Sequence, residues 1–213
     1  MKYKAILFDM DGTLLDTLTD MADAVNHILS VHGWPLRTTE EVRTFVGNGA
    51  RRLMERAVPP EVTAGDFETV LTEYRDWYQA HNCVATAPYP GIPALLAALA
   101  EAGIKTAVVS NKPDATTRAL AARFFPGLPA FGQRDDVPPK PAPDLVFRAL
   151  ETLGVDAADA AYVGDSEVDV ATARNAGLPL AAVSWGFRGR QALAEAGADT
   201  IADTAEELLE VLR

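Results

Sequence analysis

The sequence predicts an α/β fold in which a parallel sheet is interrupted, after its first strand, by an inserted helical domain. The run Ala5–Phe8 is short and wholly apolar, which is typical of a strand buried on both faces of a sheet. Apolar residues then recur at helical spacing, and from residue 89 onward predicted strands and helices alternate, as in parallel sheets with right-handed crossovers. We therefore assign residues 1–15 and 89–213 to an α/β core and residues 16–88 to the helical insert.

The insert is predicted to be a small bundle of four helices. The first ends at Gly33, and the next two span about residues 39–46 and 50–57. An apolar and aromatic stripe over residues 67–81 predicts a long fourth helix, and a stripe of this period indicates a buried face rather than a cofactor site.

The core is predicted to contain further strands and helices in alternation. Its strands are expected over residues 105–109, 160–163, 180–183 and 198–201, and its helices over 92–103, 114–124, 143–154 and 167–176. Thr204 and Glu207 have the spacing of a capping box, which predicts the start of the last helix.

Composition and charge limit the classes of partner. The chain of 213 residues carries a net charge of −11, which argues against nucleic acid or an anionic membrane as a partner. It is compatible with a phosphorylated substrate, because a bound metal ion can invert the field of a pocket. A single cysteine, Cys83, no basic-then-apolar leader and no apolar run of ~18 residues lead us to expect a cytoplasmic protein.

Two carboxylates, Asp9 and Asp11, follow the first strand at once, and Gly12 then allows the backbone to turn. Alternate residues of a strand share a face, so these carboxylates would repel each other unless a cation lay between them. The pair therefore indicates a site for a metal ion and acid–base chemistry. The alternative is a solvated strand-to-turn connection, in which Asp and Gly are common.

Polar residues also follow two later strands. Ser110, with Asn111 and Lys112, follows residues 106–109, and Asp165 follows residues 161–163. The carboxyl ends of parallel strands meet at one edge of a sheet, where ligands bind. We therefore expect these side chains near the first pair of aspartates.

Each of these residues also has a purely structural interpretation. Ser110 and Asp165 are common helix caps or turn residues, and Asp169 would compensate the dipole of a first helical turn. Lys140 lies among prolines, and a lone lysine in a loop is usually solvated. Their joint order along the chain is what favours a site.

These motifs together resemble those of the haloacid dehalogenase superfamily, over nearly the whole chain. The segment from Asp9 to Thr13 resembles its first motif, Ser110 its second, Lys140 its third and the segment from Gly164 to Asp169 its fourth. The insert resembles the helical cap of one branch, which implies a Rossmann-like core with an inserted cap domain. Residues 46–50 with residues 53–57, and residues 110–113, are similar to the phosphoglycolate phosphatases of that branch.

The resemblance implies a role for each matching residue. Asp9 would be the nucleophile, forming an aspartyl phosphate, and Asp11 the general acid and base. Ser110 and Lys140 would stabilise the transferring phosphoryl group. Thr13 and Asn111 would join these two in binding substrate.

The resemblance also implies a metal ion. Mg²⁺ would be held by Asp9, Asp165 and the main-chain carbonyl of Asp11, with Asp169 in support. The expected partner is a small phosphorylated metabolite, and the expected assembly a monomer or a homodimer.

The expected function is hydrolysis of a phosphomonoester, with a small acid such as 2-phosphoglycolate as the favoured substrate. Arg51 or Arg52 is a candidate for contacting its carboxylate. A hexose phosphomutase of the same superfamily is the first alternative, and a phospho-receiver signalling module is the second. The insert has no lysine between Thr17 and Thr86, which argues against imine-forming phosphonate chemistry. After Gly186 we expect a loop near the edge of the site.

Overall fold

A computed structural model describes residues 2–213, and Met1, which the sequence assigns to the core, lies outside the described residues. The chain divides into two compact units. One contains the chain up to Asp16 together with Pro88–Arg213, and the other is Thr17–Ala87.

The first unit is built on a parallel sheet. The strands of the described chain are β1 (Ala5–Phe8), β2 (Leu15–Asp16), β3 (Ala87–Pro88), β4 (Lys105–Pro113), β5 (Ala130–Gln133), β6 (Ala160–Gly164), β7 (Leu180–Val183) and β8 (Ile201–Ala202). Six of them form one sheet in the order β5-β4-β1-β6-β7-β8, while β2 and β3 form a separate two-stranded sheet. This architecture confirms the predicted α/β class.

Strand β1 lies in the middle of the six-stranded sheet. It pairs in parallel with β4 and with β6, so that Phe8 lies opposite Val108 and Val163. All four residues of β1 are buried. A central parallel strand is covered on both faces, which explains its continuous apolar sequence. Whatever follows Phe8 therefore emerges at the carboxyl edge of the sheet, between two neighbouring strand ends.

Helices alternate with the strands of this unit. The ten helices of the described chain are α1 (Leu18–Val31), α2 (Thr39–Phe45), α3 (Gly49–Ala57), α4 (Ala64–His81), α5 (Ile92–Glu101), α6 (Asp114–Phe124), α7 (Asp144–Leu153), α8 (Glu167–Ala176), α9 (Gly189–Glu195) and α10 (Ala205–Val211). Leu145 and Val146 of α7 pack in one apolar cluster with Leu7, Val109 and Tyr162 of the sheet. This packing fixes the strand ends that carry the polar residues.

The second unit consists of α1 to α4. The aromatic stripe of α4 is largely buried, at Phe67, Tyr74 and Tyr78, as expected of a core face. Asp20 of α1 is also buried, at 2% exposure. Its carboxylate accepts hydrogen bonds from the backbone of residues 84–86 and from the Thr86 hydroxyl, at 2.7–3.1 Å. A buried carboxylate therefore anchors the end of this unit to its first helix.

Two local predictions need correction, and two short elements were not predicted. Strand β4 continues to Pro113 instead of ending near Val109. The expected strand over 198–201 is wrong, because the backbone N–H of Ala198 closes the end of α9 by donating to Leu193 O, and the strand forms only at Ile201–Ala202. The short strand β5 and helix α9 were not predicted, since neither has a sustained apolar period.

None of the helices within residues 2–213 is both long enough and apolar enough to cross a lipid bilayer.

Candidate active site

Asp9 lies directly after β1, at the carboxyl edge of the sheet. Its backbone N–H donates to Val163 O at 2.9 Å, which continues the pairing of β1 with β6 by one residue. Its side-chain Oδ1 accepts from the Met10 N–H at 2.7 Å and lies 3.0 Å from Lys140 Nζ. The carboxylate is therefore held in one orientation beside a cation.

Lys140 is buried, with its side chain only 1% exposed. Its ammonium donates to Asp169 Oδ1 at 2.8 Å, to the Tyr162 hydroxyl at 3.0 Å and to Val109 O at 3.2 Å. Asn111 holds the backbone of the same residue from both sides, because its Oδ1 accepts from the Lys140 N–H at 2.8 Å and its amide donates to Lys140 O at 3.0 Å. Asn111 thus positions the lysine, and its expected role in binding substrate stays a prediction.

Asp169 lies in the first turn of α8. Its Oδ2 accepts from the Ser166 hydroxyl at 2.6 Å and from the Ser166 N–H at 3.1 Å, as part of a capping box. Its Oδ1 receives the Lys140 ammonium. Both oxygens therefore take part in holding neighbouring residues, which suits the supporting role expected of Asp169.

Asp165 lies between β6 and α8. Its Oδ1 accepts from the Thr13 hydroxyl at 3.2 Å, and its Oδ2 accepts from the Phe187 N–H at 2.7 Å. Gly12 and Gly186 approach it so closely that a Cβ on either would collide with the carboxylate side chain. The segment after Gly186, expected only as a loop near the site, therefore contacts Asp165 through its backbone.

Asp9, Asp165 and Asp169 form a cluster in which each offers one carboxylate oxygen within 4.8 Å of the others. Burial raises the pKa of Asp9 to about 7, with Lys140 opposing this and Asp169 and Asp11 adding to it. Burial also raises the pKa of Asp165 well above its usual range, and the charges of Asp169 and Asp9 add to the rise. Anionic oxygens that destabilise one another fit a hard divalent cation such as Mg²⁺.

The charge of Lys140 is stabilised by the same cluster. Burial alone would lower its pKa, but the charges of Asp169 and Asp9 raise that pKa well above the usual range. The site therefore keeps a fixed positive charge beside Asp9, which is the arrangement needed to bind an anionic group there.

Asp11 is not part of the carboxylate cluster. Its Oδ2 lies 3.0 Å from Nζ of Lys112, whose side chain is 3% exposed. The backbone N–H of Lys112 donates to the Ser110 hydroxyl at 3.2 Å, and Ser110 itself is buried. The two aspartates after β1 thus face different cations, Lys140 and Lys112. The expected contribution of the Asp11 main-chain carbonyl to a metal site stays a prediction.

Sequence reasoning gave no role to Lys112, Tyr162 or Phe187. A tyrosine in an otherwise Ala- and Val-rich strand was a usable signal, because a buried phenol needs a hydrogen-bond partner. Lys112 lies in an irregular part of β4, so its spacing from Ser110 does not indicate its contact with Asp11. Phe187 acts through its backbone N–H, which its residue type cannot reveal.

A parallel sheet that gathers acidic, basic and hydroxyl side chains at its carboxyl edge defines an α/β protein with a ligand site at that edge. The chain belongs to the haloacid dehalogenase-like hydrolase family, whose model matches residues 6–183. This finding confirms the resemblance drawn from the motifs.

Individual relatives extend the similarity over the whole chain. An N-acetylmuramic acid 6-phosphate phosphatase of Pseudomonas aeruginosa is 35% identical and matches 100% of this chain and 96% of its own length. A phosphoglycolate phosphatase of Cupriavidus necator is 37% identical over 96% of this chain and 90% of its own. A crystal structure from Lactobacillus delbrueckii subsp. bulgaricus, provisionally assigned as a phosphoglycolate phosphatase, superposes with a TM-score of 0.95 at 37% identity, covering 100% and 99% of the two chains.

Proposed function

We propose that this protein is a Mg²⁺-dependent phosphomonoester hydrolase that acts through a phosphorylated Asp9. The observation that carries the proposal is the position of the Asp9 carboxylate, 3.0 Å from the Lys140 ammonium and within the same cluster as Asp165. A carboxylate attacks a dianionic phosphate only where the negative charge of both is offset. Membership of a hydrolase family and the phosphatase names of similar proteins support the same reaction class.

In the first step a carboxylate oxygen of Asp9 attacks phosphorus, and the bond from phosphorus to the leaving oxygen breaks. Asp11 donates its proton to that oxygen, so the product leaves as an alcohol. Lys140 and the Ser110 hydroxyl stabilise the phosphoryl oxygens.

In the second step a water molecule attacks phosphorus and the bond to Asp9 breaks. Asp11, now a carboxylate, takes the proton of that water, and Asp9 is restored. Asp9 and Asp165 would hold Mg²⁺, whose charge, when bound, offsets that of the phosphate. Asp169 and Tyr162 keep the Lys140 ammonium in place throughout.

We propose a small phosphorylated carboxylic acid as the substrate. The two substrates named for similar proteins, phosphoglycolate and N-acetylmuramic acid 6-phosphate, are both phosphate esters of a primary alcohol, and both also carry a carboxylate. The shared chemistry therefore favours a phosphomonoester with a second anionic group, of which 2-phosphoglycolate is the smallest example.

The test compares matched pairs of phosphate esters that differ in the carboxylate, with Mg²⁺ and with EDTA. The pairs are 2-phosphoglycolate with ethylene glycol phosphate, and N-acetylmuramic acid 6-phosphate with N-acetylglucosamine 6-phosphate. We expect Mg²⁺-dependent phosphate release and a preference of ~100-fold in kcat/KM for the acid of one pair, which corresponds to about 2.7 kcal/mol.

The Asp9→Asn variant is the control, and it should release no phosphate. Equal rates within both pairs would overturn the substrate class and keep the hydrolase. Absence of release from every ester by the wild-type protein would overturn the hydrolase itself, and transfer of phosphate between sugar hydroxyls without release would indicate the mutase.

A further inference from the structure

We propose that Lys112 is a positioning residue that holds the Asp11 carboxylate in the place from which it transfers protons. The inference rests on the proposed function, in which Asp11 protonates the leaving oxygen. The inference starts from the 3.0 Å contact between the Lys112 ammonium and Asp11 Oδ2.

The geometry of β4 aims Lys112 at the site. Lys112 lies near the end of β4, where the pairing with β5 is irregular between Val109 and Pro113, and its ammonium reaches Asp11 Oδ2. Asn111, the residue before it, is directed to the backbone of Lys140. The three consecutive residues from Ser110 to Lys112 thus serve the phosphoryl group, the Lys140 loop and Asp11 in turn.

The backbone of Lys112 is fixed on both sides. Its N–H donates to the Ser110 hydroxyl at 3.2 Å, and its carbonyl accepts from the Thr117 hydroxyl of α6 at 3.1 Å. Since the side chain is 3% exposed, the ammonium has little freedom to leave this position. A lysine that is buried in this way can hold its partner in place, but it does not reach anions in bulk solvent.

Asp11 lies beyond the first strand, in the turn that follows it. β1 ends at Phe8, and the chain turns at once through Gly12, whose N–H donates to Leu15 O at 2.9 Å. The Asp11 side chain is 18% exposed. Its contact with the buried Lys112 ammonium fixes one of its carboxylate oxygens.

Each of the two neighbouring carboxylates therefore contacts its own cation. Lys140 lies against Asp9 at 3.0 Å, and Lys112 lies against Asp11 at the same distance. The separation keeps the nucleophile and the proton donor in different orientations, although only one residue separates them in sequence. Loss of Lys112 should then impair the step that needs a proton while leaving attack by Asp9 intact.

The test measures kcat/KM for esters whose leaving groups differ in their need for a proton. Phosphoglycolate requires protonation of an alkoxide, whereas acetyl phosphate and 4-nitrophenyl phosphate release stable anions. We expect Lys112→Met to lower kcat/KM for 2-phosphoglycolate by ~100-fold, within the range of general acid catalysis, and to lower it for the other two by less than ~3-fold. Lys105→Met, on the exposed start of the same strand, is the matched control and should change neither.

An equal loss on all three esters would overturn the inference, because it would show that Lys112 binds the phosphoryl group or only supports the fold. The second measurement is a double-mutant cycle with Asp11→Asn. Lys112→Met should have almost no further effect once Asp11 is neutral, and a further ~100-fold loss would contradict the positioning role.

The cycle also protects the test against misfolding, since removing both partners of a buried ion pair is better tolerated than removing one. If the wild-type protein hydrolyses none of the esters, the proposed function and this inference fall together. If the wild-type protein is active and Lys112→Met shows no dependence on leaving group, only the inference falls.

Discussion

The ammonium of Lys140 lies 3.0 Å from Oδ1 of Asp9, although one residue follows the central strand and the other lies in a proline-flanked loop before α7. The contact depends on Asn111, whose side chain binds the Lys140 backbone through two hydrogen bonds. It places one fixed positive charge beside the proposed nucleophile.

Replacement of Lys140 by methionine should lower both kcat/KM and the free energy of unfolding. We expect kcat/KM to fall by at least about 100-fold, as for the loss of one charge-stabilising donor. The free energy of unfolding should fall by about 3–5 kcal/mol, because Asp169 and Asp9 lose a buried counter-charge. Lys105→Met, at an exposed lysine of β4, is the control for both measurements. A Lys140→Met protein with more than a tenth of the wild-type activity would refute this role.

Asp9→Asn should make the metal-free protein more stable at neutral pH. The pKa of Asp9 is raised from 3.8 to about 7, so between these values the folded protein binds a proton that the unfolded chain has released. Wild-type stability in EDTA should therefore fall as pH rises from about 4 to 7, and the variant should lack this contribution.

At pH 8 we expect the Asp9→Asn variant to exceed the wild-type protein in free energy of unfolding by about 1–4 kcal/mol, since three pKa units set the upper limit. The difference should vanish near pH 4. Urea titrations across this range measure it, with Asp135→Asn at an exposed aspartate as the control. A variant less stable than wild type at pH 8 would show that the Asp9 charge is favourable in the fold.

Gly186→Ala should weaken the metal site without replacing any residue proposed to hold the ion. A Cβ at this position would collide with Asp165 and with the Gly12 carbonyl, so Asp165 must move. We expect the Mg²⁺ concentration for half-maximal activity to rise by about 10–100-fold, as for the loss of groups that orient metal ligands. Gly65→Ala is the control, because a Cβ there meets nothing within 4 Å. Equal Mg²⁺ dependence in the two variants would count against Asp165 as a ligand.

Asp20→Ala should loosen the end of the helical unit. The carboxylate of Asp20 accepts hydrogen bonds from the N–H groups of residues 84–86, and its loss leaves those donors without this acceptor. We expect a loss of about 2–4 kcal/mol in local stability and faster amide exchange at Ala85 and Thr86. Asp23→Ala, at an exposed position of the same helix, should leave exchange at these amides unchanged.

Most of the fold was open to prediction, because apolar period and strand–helix alternation determine it. β1, α6 and α8 have strong local patterns, whereas β5 and α9 are short and lack them. The strand expected at 198–201 does not form because the Ala198 N–H donates to the end of helix α9. That hydrogen bond depends on the position of α9.

The site likewise contains residues that the sequence predicts and residues that it does not. Asp9, Asp165 and Lys140 were found because charged residues at strand ends or among prolines are conspicuous. The role of Lys112 was not predicted because its partner, Asp11, is positioned by the turn after β1. The contact from the Phe187 backbone N–H was not predicted because it comes from a segment remote in sequence that packs against Asp165. The residue type at position 187 does not reveal a backbone contact.

The most direct test of the account is to locate the phosphoryl group on the protein. The Asp11→Asn variant should slow hydrolysis of the phosphorylated enzyme, so acid quenching during turnover of acetyl phosphate with Mg²⁺ should trap it. Borohydride converts an aspartyl phosphate to homoserine, which mass spectrometry assigns to a position. We predict homoserine at position 9 and its absence when Asp9→Asn is added to the same chain. Phosphate release with no modified residue, or with the modification at another aspartate, would contradict the account.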